Sequence, residues 1–118
     1  MTHKDMDLWK LAMEFVGDIY KVTRNFPPEE RFGLCNQIRR ATISIPSNIA
    51  EGAARQNPRE MIQFVYISLG SLAEVDTQLE IARNLGFIED ITLLEKKVVR
   101  MRCMMARLIR VLKAKGKV

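Results

Sequence analysis

Apolar residues recur along this chain at steps of three and four, and no segment alternates at a step of two beside turn chemistry. That pattern predicts helices only. The first runs from about Asp7 to Arg24, with Leu8, Ala12, Phe15 and Ile19 on one face. Asp7 is the expected N-cap, and Pro27-Pro28 closes the segment because the residue before a proline is pushed out of helical geometry. The second is expected from about Glu29 to Arg55, with Phe32, Cys35, Ile38, Thr42, Ile45 and Ile49 inward. Pro46 lies inside it, removes one backbone donor and crowds the preceding turn, so a kink or break is expected near Thr42–Ser47.

A start signal follows at Asn57-Pro58-Arg59-Glu60, where Asn57 caps, Pro58 suits the first helical position and Glu60 closes a capping box. The third helix reaches about Leu85, with Ile62, Val65, Leu69, Leu72 and Leu79 inward, and Gly86 supplies a left-handed end. The fourth runs from about Asp90 to Lys115, with Leu94, Val98, Met101, Met105, Leu108 and Leu112 in strict four-three alternation. Connections this short make neighbouring helices antiparallel. The expected fold is therefore all-α, an up-down-up-down four-helix bundle with its second helix kinked at Pro46, spanning residues 1–118 as one domain.

The 118 residues, 47% hydrophobic and 28% charged, are enough for one core without metal or disulfide staples and exclude a disordered class. The longest uncharged stretch, Met61 to Ala73, is too short and too polar to cross a bilayer, so no membrane partner is expected. Lys4, Asp5, Asp7 and Lys10 leave no apolar run for a signal peptide. Cys35 and Cys103 have no metal or CxxC spacing and read as buried thiols in a reducing compartment, which points to the cytoplasm.

Chemistry-bearing residues are few. His3 is the one histidine, so imidazole acid–base work, Ser-His or Cys-His nucleophiles and histidine metal sites all lack their central group. The six glycines form no phosphate loop. Glu74, Asp76 and Glu80 could suggest a carboxylate metal site, but the Glu-x-x-His elements of helical metal sites are missing and solvated charges are the better reading. No catalytic, cofactor or metal site is expected, and the chain is not expected to be an enzyme.

Charge and surplus apolar residues change the picture more. Residues 96–118 hold nine basic and no acidic residues; subtracting that +9 from the overall +5 leaves residues 1–95 at −4. Lys96, Arg100, Arg107 and Arg110 follow the apolar positions by two residues, about 200° of rotation, which aims them away from the core. A same-sign ridge suits an anionic partner, RNA or DNA, with Arg39, Arg40 and Arg55 as further candidates; a plain solubilising face is the other reading. On the first helix Trp9, Met13, Val16 and Tyr20 form a second apolar row, and Met61, Phe64, Ile67 and Val75 do so on the third. Such a second face points to self-association. The passage SIPSNIAEG, Ser44 to Gly52, crowds Ser47, Asn48 and Glu51 beside Pro46, either to satisfy backbone groups that the proline frees or to contact a ligand.

Asp7-Leu8-Trp9-Lys10, Phe26-Pro27, ERFGL at 30–34, QIRRA at 37–41, SIPSNIAEG and GSLAEVDTQL at 70–79 occur in an order and spacing that is similar to one family over nearly the whole chain. The chain resembles the four helix bundle proteins also called the S23 ribosomal protein or 23S rRNA intervening-sequence protein family. The resemblance implies a four-helix bundle akin in fold to the accessory protein of diversity-generating retroelements. Those relatives form barrel-shaped homopentamers with a basic exterior, and the retroelement protein binds its reverse transcriptase and nucleic acid. The chain is accordingly expected to be a non-catalytic binding or assembly module associated with nucleic acid or ribonucleoprotein. The alternative is a self-assembling scaffold that binds a protein partner.

Overall fold

Helix α1, Asp7–Thr23, starts after a 3-10 turn over His3–Asp5 in which Thr2 and Asp5 cap each other's backbone. Its cap position is Met6, with no side-chain bond, so Asp7 is the first helical residue and not the expected cap. In this computed structural model, which describes residues 2–116, α1 is followed by α2 (Leu34–Ala53), α3 (Pro58–Asn84) and α4 (Thr92–Gly116), with no strand among the described residues. Lys117, counted in the basic C-terminal segment, lies outside them.

The start of α2 differs from the expectation. Residues 28–30 form a 3-10 turn, and the Glu30 carboxylate accepts the Leu34 N–H at 3.1 Å, which caps a helix that begins only there. Phe32 therefore belongs to the connection and stands 85% exposed, whereas the rest of the inward row, Cys35 to Ile49, is buried. Helix α2 continues through Pro46, which is itself buried. The local signals at α3 act as expected: Asn57 accepts the Arg59 N–H at 2.8 Å, and Gly86 takes φ +79°. The N–H groups of Gly86 and Phe87 then bond the carbonyls of Arg83 and Ala82 at 3.0 and 2.9 Å, the paired closure that satisfies the orphan carbonyls of a helix end.

Around the bundle α1 lies beside α2 and α4, and α3 beside α2 and α4, so that α1 and α3 are diagonal, as are α2 and α4. The molecule measures 51 × 22 × 20 Å. Phe15, Ile19, Ile38, Ile45, Leu72, Leu79, Met101 and Met105 are fully buried in one continuous core. A smaller cluster of Phe26, Cys35 and Ala82, with the Phe87 ring 5.5 Å from that of Phe26, closes the end where α1 and α3 finish and α2 begins. Cys35 is buried there as expected, but Cys103 is exposed, because position 103 falls on the outward stripe of α4.

Charges on adjacent helices meet across their seams. Asp76 of α3 pairs with Arg102 of α4 at 3.2 Å across their seam, whereas within α3 Glu80 pairs with Arg83 and Glu74 accepts from the Gln78 amide at 3.3 Å. Glu95 of α4 shares a hydrogen bond with Glu80, and this bond, with desolvation and the charges of Glu80 and Asp76, lifts its carboxyl above the ordinary 4.5. A raised carboxyl contributes stability below its unfolded value and loses it as pH rises through the folded one. Glu95→Gln, which keeps a neutral donor at every pH, should therefore raise the melting temperature at pH 7 and have no effect well below pH 4.5. Thermal melts at the two pH values check this.

Candidate nucleic-acid interface

Helix α4 sorts its cations by the face each occupies. On its flanks, Lys97 reaches α1, bonding Asp18 and lying 3.2 Å from Glu14, while Arg102 reaches Asp76 of α3. The Asp18 bond, with help from Glu14, holds the Lys97 ammonium above the ordinary lysine value, so it stays charged and is paired across the α1–α4 seam. Lys96, Arg100, Arg107 and Arg110 are exposed and form no ion pair among the described residues. Steps of four, seven and three keep them on one stripe, and fourteen residues at 1.5 Å each give it a length of about 21 Å. Cys103 sits within the same stripe, with its thiol exposed between Arg100 and Arg107.

The remaining basic candidates do not join that stripe. They lie on α2 or just past its end, and α2 is diagonal to α4. Arg39 is half-buried: its Nε donates to Thr23 Oγ1 at 2.8 Å and its guanidinium lies 4.4 Å over the Tyr20 ring. It fastens α2 to α1. Arg55, beyond the end of α2, covers the Phe64 ring at 5.0 Å and stands 3.8 Å from Glu51. Arg40 is exposed and has no ion pair among the described residues.

The second apolar row of α1 divides. Trp9, Met13 and Val16 line a surface groove of about 380 Å³ with Ile43, Pro46 and Ala50 of α2, where Met13 and Ile43 are more than 40% exposed. The His3 ring meets Trp9 edge-on at 5.2 Å. Tyr20 leaves the row to lie under Arg39. The α2 half of the groove is not legible in the sequence, since Ile43 and Ala50 fall outside the inward row of α2.

The SIPSNIAEG passage forms a polar seam against α3. Asn48 Nδ2 donates to the Ser44 carbonyl at 2.8 Å and to Ser44 Oγ at 2.9 Å. The Ser44 and Ser71 hydroxyls meet at 2.9 Å, and buried Ser68 donates to the Ile45 carbonyl at 2.9 Å. Gly52 then lets α3 come close, since a Cβ there would stand 2.9 Å from Phe64 Cβ. Of the three polar residues expected to serve backbone groups freed by Pro46, Asn48 bonds the Ser44 carbonyl, which is not one that the proline frees, Ser47 is exposed and Glu51 turns to Arg55.

A family profile described as "23S rRNA-intervening sequence protein" matches residues 4–107, across all four helices. The chain belongs to that family. No curated protein matches it. In this member of the 23S rRNA-intervening sequence family, the matched span includes Lys96, Arg100 and Arg107 and stops before Arg110. It contains the whole Ser44–Ser71 seam. Asn48→Ala should cost about 0.5–1.5 kcal/mol, because it removes hydrogen bonds to a carbonyl that the helix can still satisfy. Denaturant unfolding with an unchanged m-value is the check.

Proposed function

We propose that this chain is a non-catalytic binding and assembly module that engages RNA or DNA through the outward stripe of α4. One observation carries the reading: acids on α1 and α3 take up the flanking Lys97 and Arg102, while Lys96, Arg100, Arg107 and Arg110 face outward unpaired among the described residues. Phosphates would complement them, and phosphate contacts position a protein without reading bases. The description of the family supports a setting near rRNA and hence the cytoplasm. Arg40 and Arg55 would add contacts on a second side.

The bundle architecture in this reading alternates in direction and bends at Pro46. Ser44 meets Ser71 while Gly52 meets Met61 and Phe64, an order that supports antiparallel α2 and α3. The Trp9–Met13–Val16 groove supports assembly into a homo-oligomer, with a homopentamer favoured by resemblance. The same groove favours a second reading, a scaffold whose partner is a protein such as a reverse transcriptase. Binding to RNA, single-stranded DNA and duplex DNA at several salt concentrations separates the two. Saturable binding with little sequence preference and a steep salt dependence is expected; weak, non-saturating association at low salt would favour the scaffold.

A further inference from the structure

Two features at one end of the bundle are left without partners by the fold. The first is the connection between α1 and α2. Pro27-Pro28 fixes its entry, the Glu30 and Arg31 N–H groups bond the carbonyls of Pro27 and Pro28 at 2.9 and 3.1 Å, and Glu30 bonds both Gly33 and Leu34. This braced turn presents Phe32 at 85% exposure, with the Arg31 guanidinium 5.6 Å over the ring and Glu29 three residues before it in the same turn. An aromatic ring costs free energy in water, and nothing among the described residues buries this one.

The second feature is a cleft of about 430 Å³ between the end of α1 and the start of α4. Its walls are mainly Val22, Leu94 and Leu93, the last 75% exposed, with Lys21 and Lys96 at the rim. The acids in the cleft are already engaged: Asp18 bonds Lys97, and Asp90 accepts from the N–H and hydroxyl of Thr92 at 2.9 and 2.6 Å. Asp90 keeps its charge, since Thr92 is a neutral donor, and Lys21, Lys96 and Lys97 against Asp18 and Asp90 leave the cleft a net charge of +1. The turn therefore offers an apolar ring and a net charge of −1, from Glu29 and Glu30 against Arg31, and the cleft an apolar floor beside the unpaired ammonium of Lys21.

We propose that the Glu29–Phe32 turn of one copy seats in the Lys21–Leu93 cleft of a second copy of this chain. The inference rests on the proposed assembly and names its contact. The cluster of Phe26, Cys35 and Ala82 binds the turn to the same end of the bundle that holds the cleft. The turn is on the α1–α2 side and the cleft on the α1–α4 side, two sides that meet at α1. Repeating such a head-to-tail contact makes a ring where the rotation between copies closes and a filament where it does not.

The other end of the molecule is compatible with this register. There the α1–α2 side carries the Trp9–Met13 groove, and the α1–α4 side carries a groove of Met6, Leu108 and Val111 edged by Asp7 and Arg107.

Charge reversal tests the pairing in the full chain. Glu29→Lys and Lys21→Glu should each raise the concentration for half-assembly at least tenfold in sedimentation or light scattering, and Glu29→Lys with Lys21→Glu together should restore most of the loss. Phe32→Ala should weaken assembly as strongly while leaving the helical circular dichroism unchanged, since the ring is outside the core. In a Cys103→Ser background, Phe32→Cys with Leu93→Cys should yield covalent oligomers on oxidation. An assembled parent whose Phe32→Ala and Glu29→Lys variants keep its mass would overturn this contact and leave assembly standing. A parent that is itself monomeric at tens of micromolar would overturn assembly and the contact together. Loss of RNA affinity on Phe32→Ala without a change of mass would overturn the contact in favour of base stacking on the ring.

Discussion

Changing Arg107 and Arg110 to Glu together should weaken binding to single-stranded RNA and DNA by on the order of 10²-fold at low salt, equally for all sequences. The size comes from counterion release. About four phosphate contacts per subunit give a log–log salt slope near −3 on single strands, and removing two leaves it near −1.4. Over about a decade between low and molar salt, that difference in slope amounts to about one and a half orders of magnitude, to which repulsion from the new carboxylates adds. Both side chains are exposed and outside every ion pair among the described residues, so the melting temperature should not change. Lys97→Ala is the contrasting variant. Its ammonium is committed to Asp18 and Glu14, so its loss should loosen the α1–α4 seam with little change in salt slope. Fluorescence anisotropy at four or more salt concentrations reads both quantities.

The same chemical change should have opposite signs at two helical glycines. Gly70→Ala lies in α3 with nothing within 4 Å of the added Cβ, so it should gain about 0.5–1 kcal/mol from helix propensity alone. Gly52→Ala gains the same propensity term but places its Cβ 2.9 Å from Phe64 Cβ and 3.4 Å from Met61. Phe64 Cβ is bonded directly to the α3 backbone, so relief requires the helices to separate. Overpacking of this kind costs about 1–3 kcal/mol, which exceeds the propensity gain and makes the variant destabilised. Separation would also stretch the Ser44–Ser71 and Ser68–Ile45 bonds. Urea unfolding of the two variants side by side decides it, and equal stabilisation in both would contradict the close approach of α2 and α3.

Much of this molecule is legible in its chain because the relevant forces are local. The four-three rows of α1 and α4 supply much of the core, although Ile109 is buried on α4 in place of the expected Leu108, and Asn57 and Gly86 act through groups within a few residues of themselves. Phe32 departs from its expected place for an equally physical reason. Its spacing to Cys35 continues a helical row, but the Glu30 carboxylate captures the Leu34 N–H and starts α2 two residues after it. The outward direction of Lys96, Arg100, Arg107 and Arg110 comes from rotation alone. Which α4 cations are neutralised does not, since the acids that hold Lys97 lie 79 and 83 positions away and come near only once α1 and α4 touch. Arg39 departs from the expectation on the same ground. A guanidinium free for phosphate and one resting on Tyr20 look alike until α1 and α2 are packed.

The α4 stripe as the nucleic-acid contact is tested most directly by photocrosslinking the protein to a short single-stranded RNA and mapping the joined residues by mass spectrometry. Crosslinks concentrated between residues 96 and 110, and lost in high salt, are predicted. Saturating RNA with no crosslink, or crosslinks confined to the α1–α2 side around Trp9 and Ile43, would contradict it.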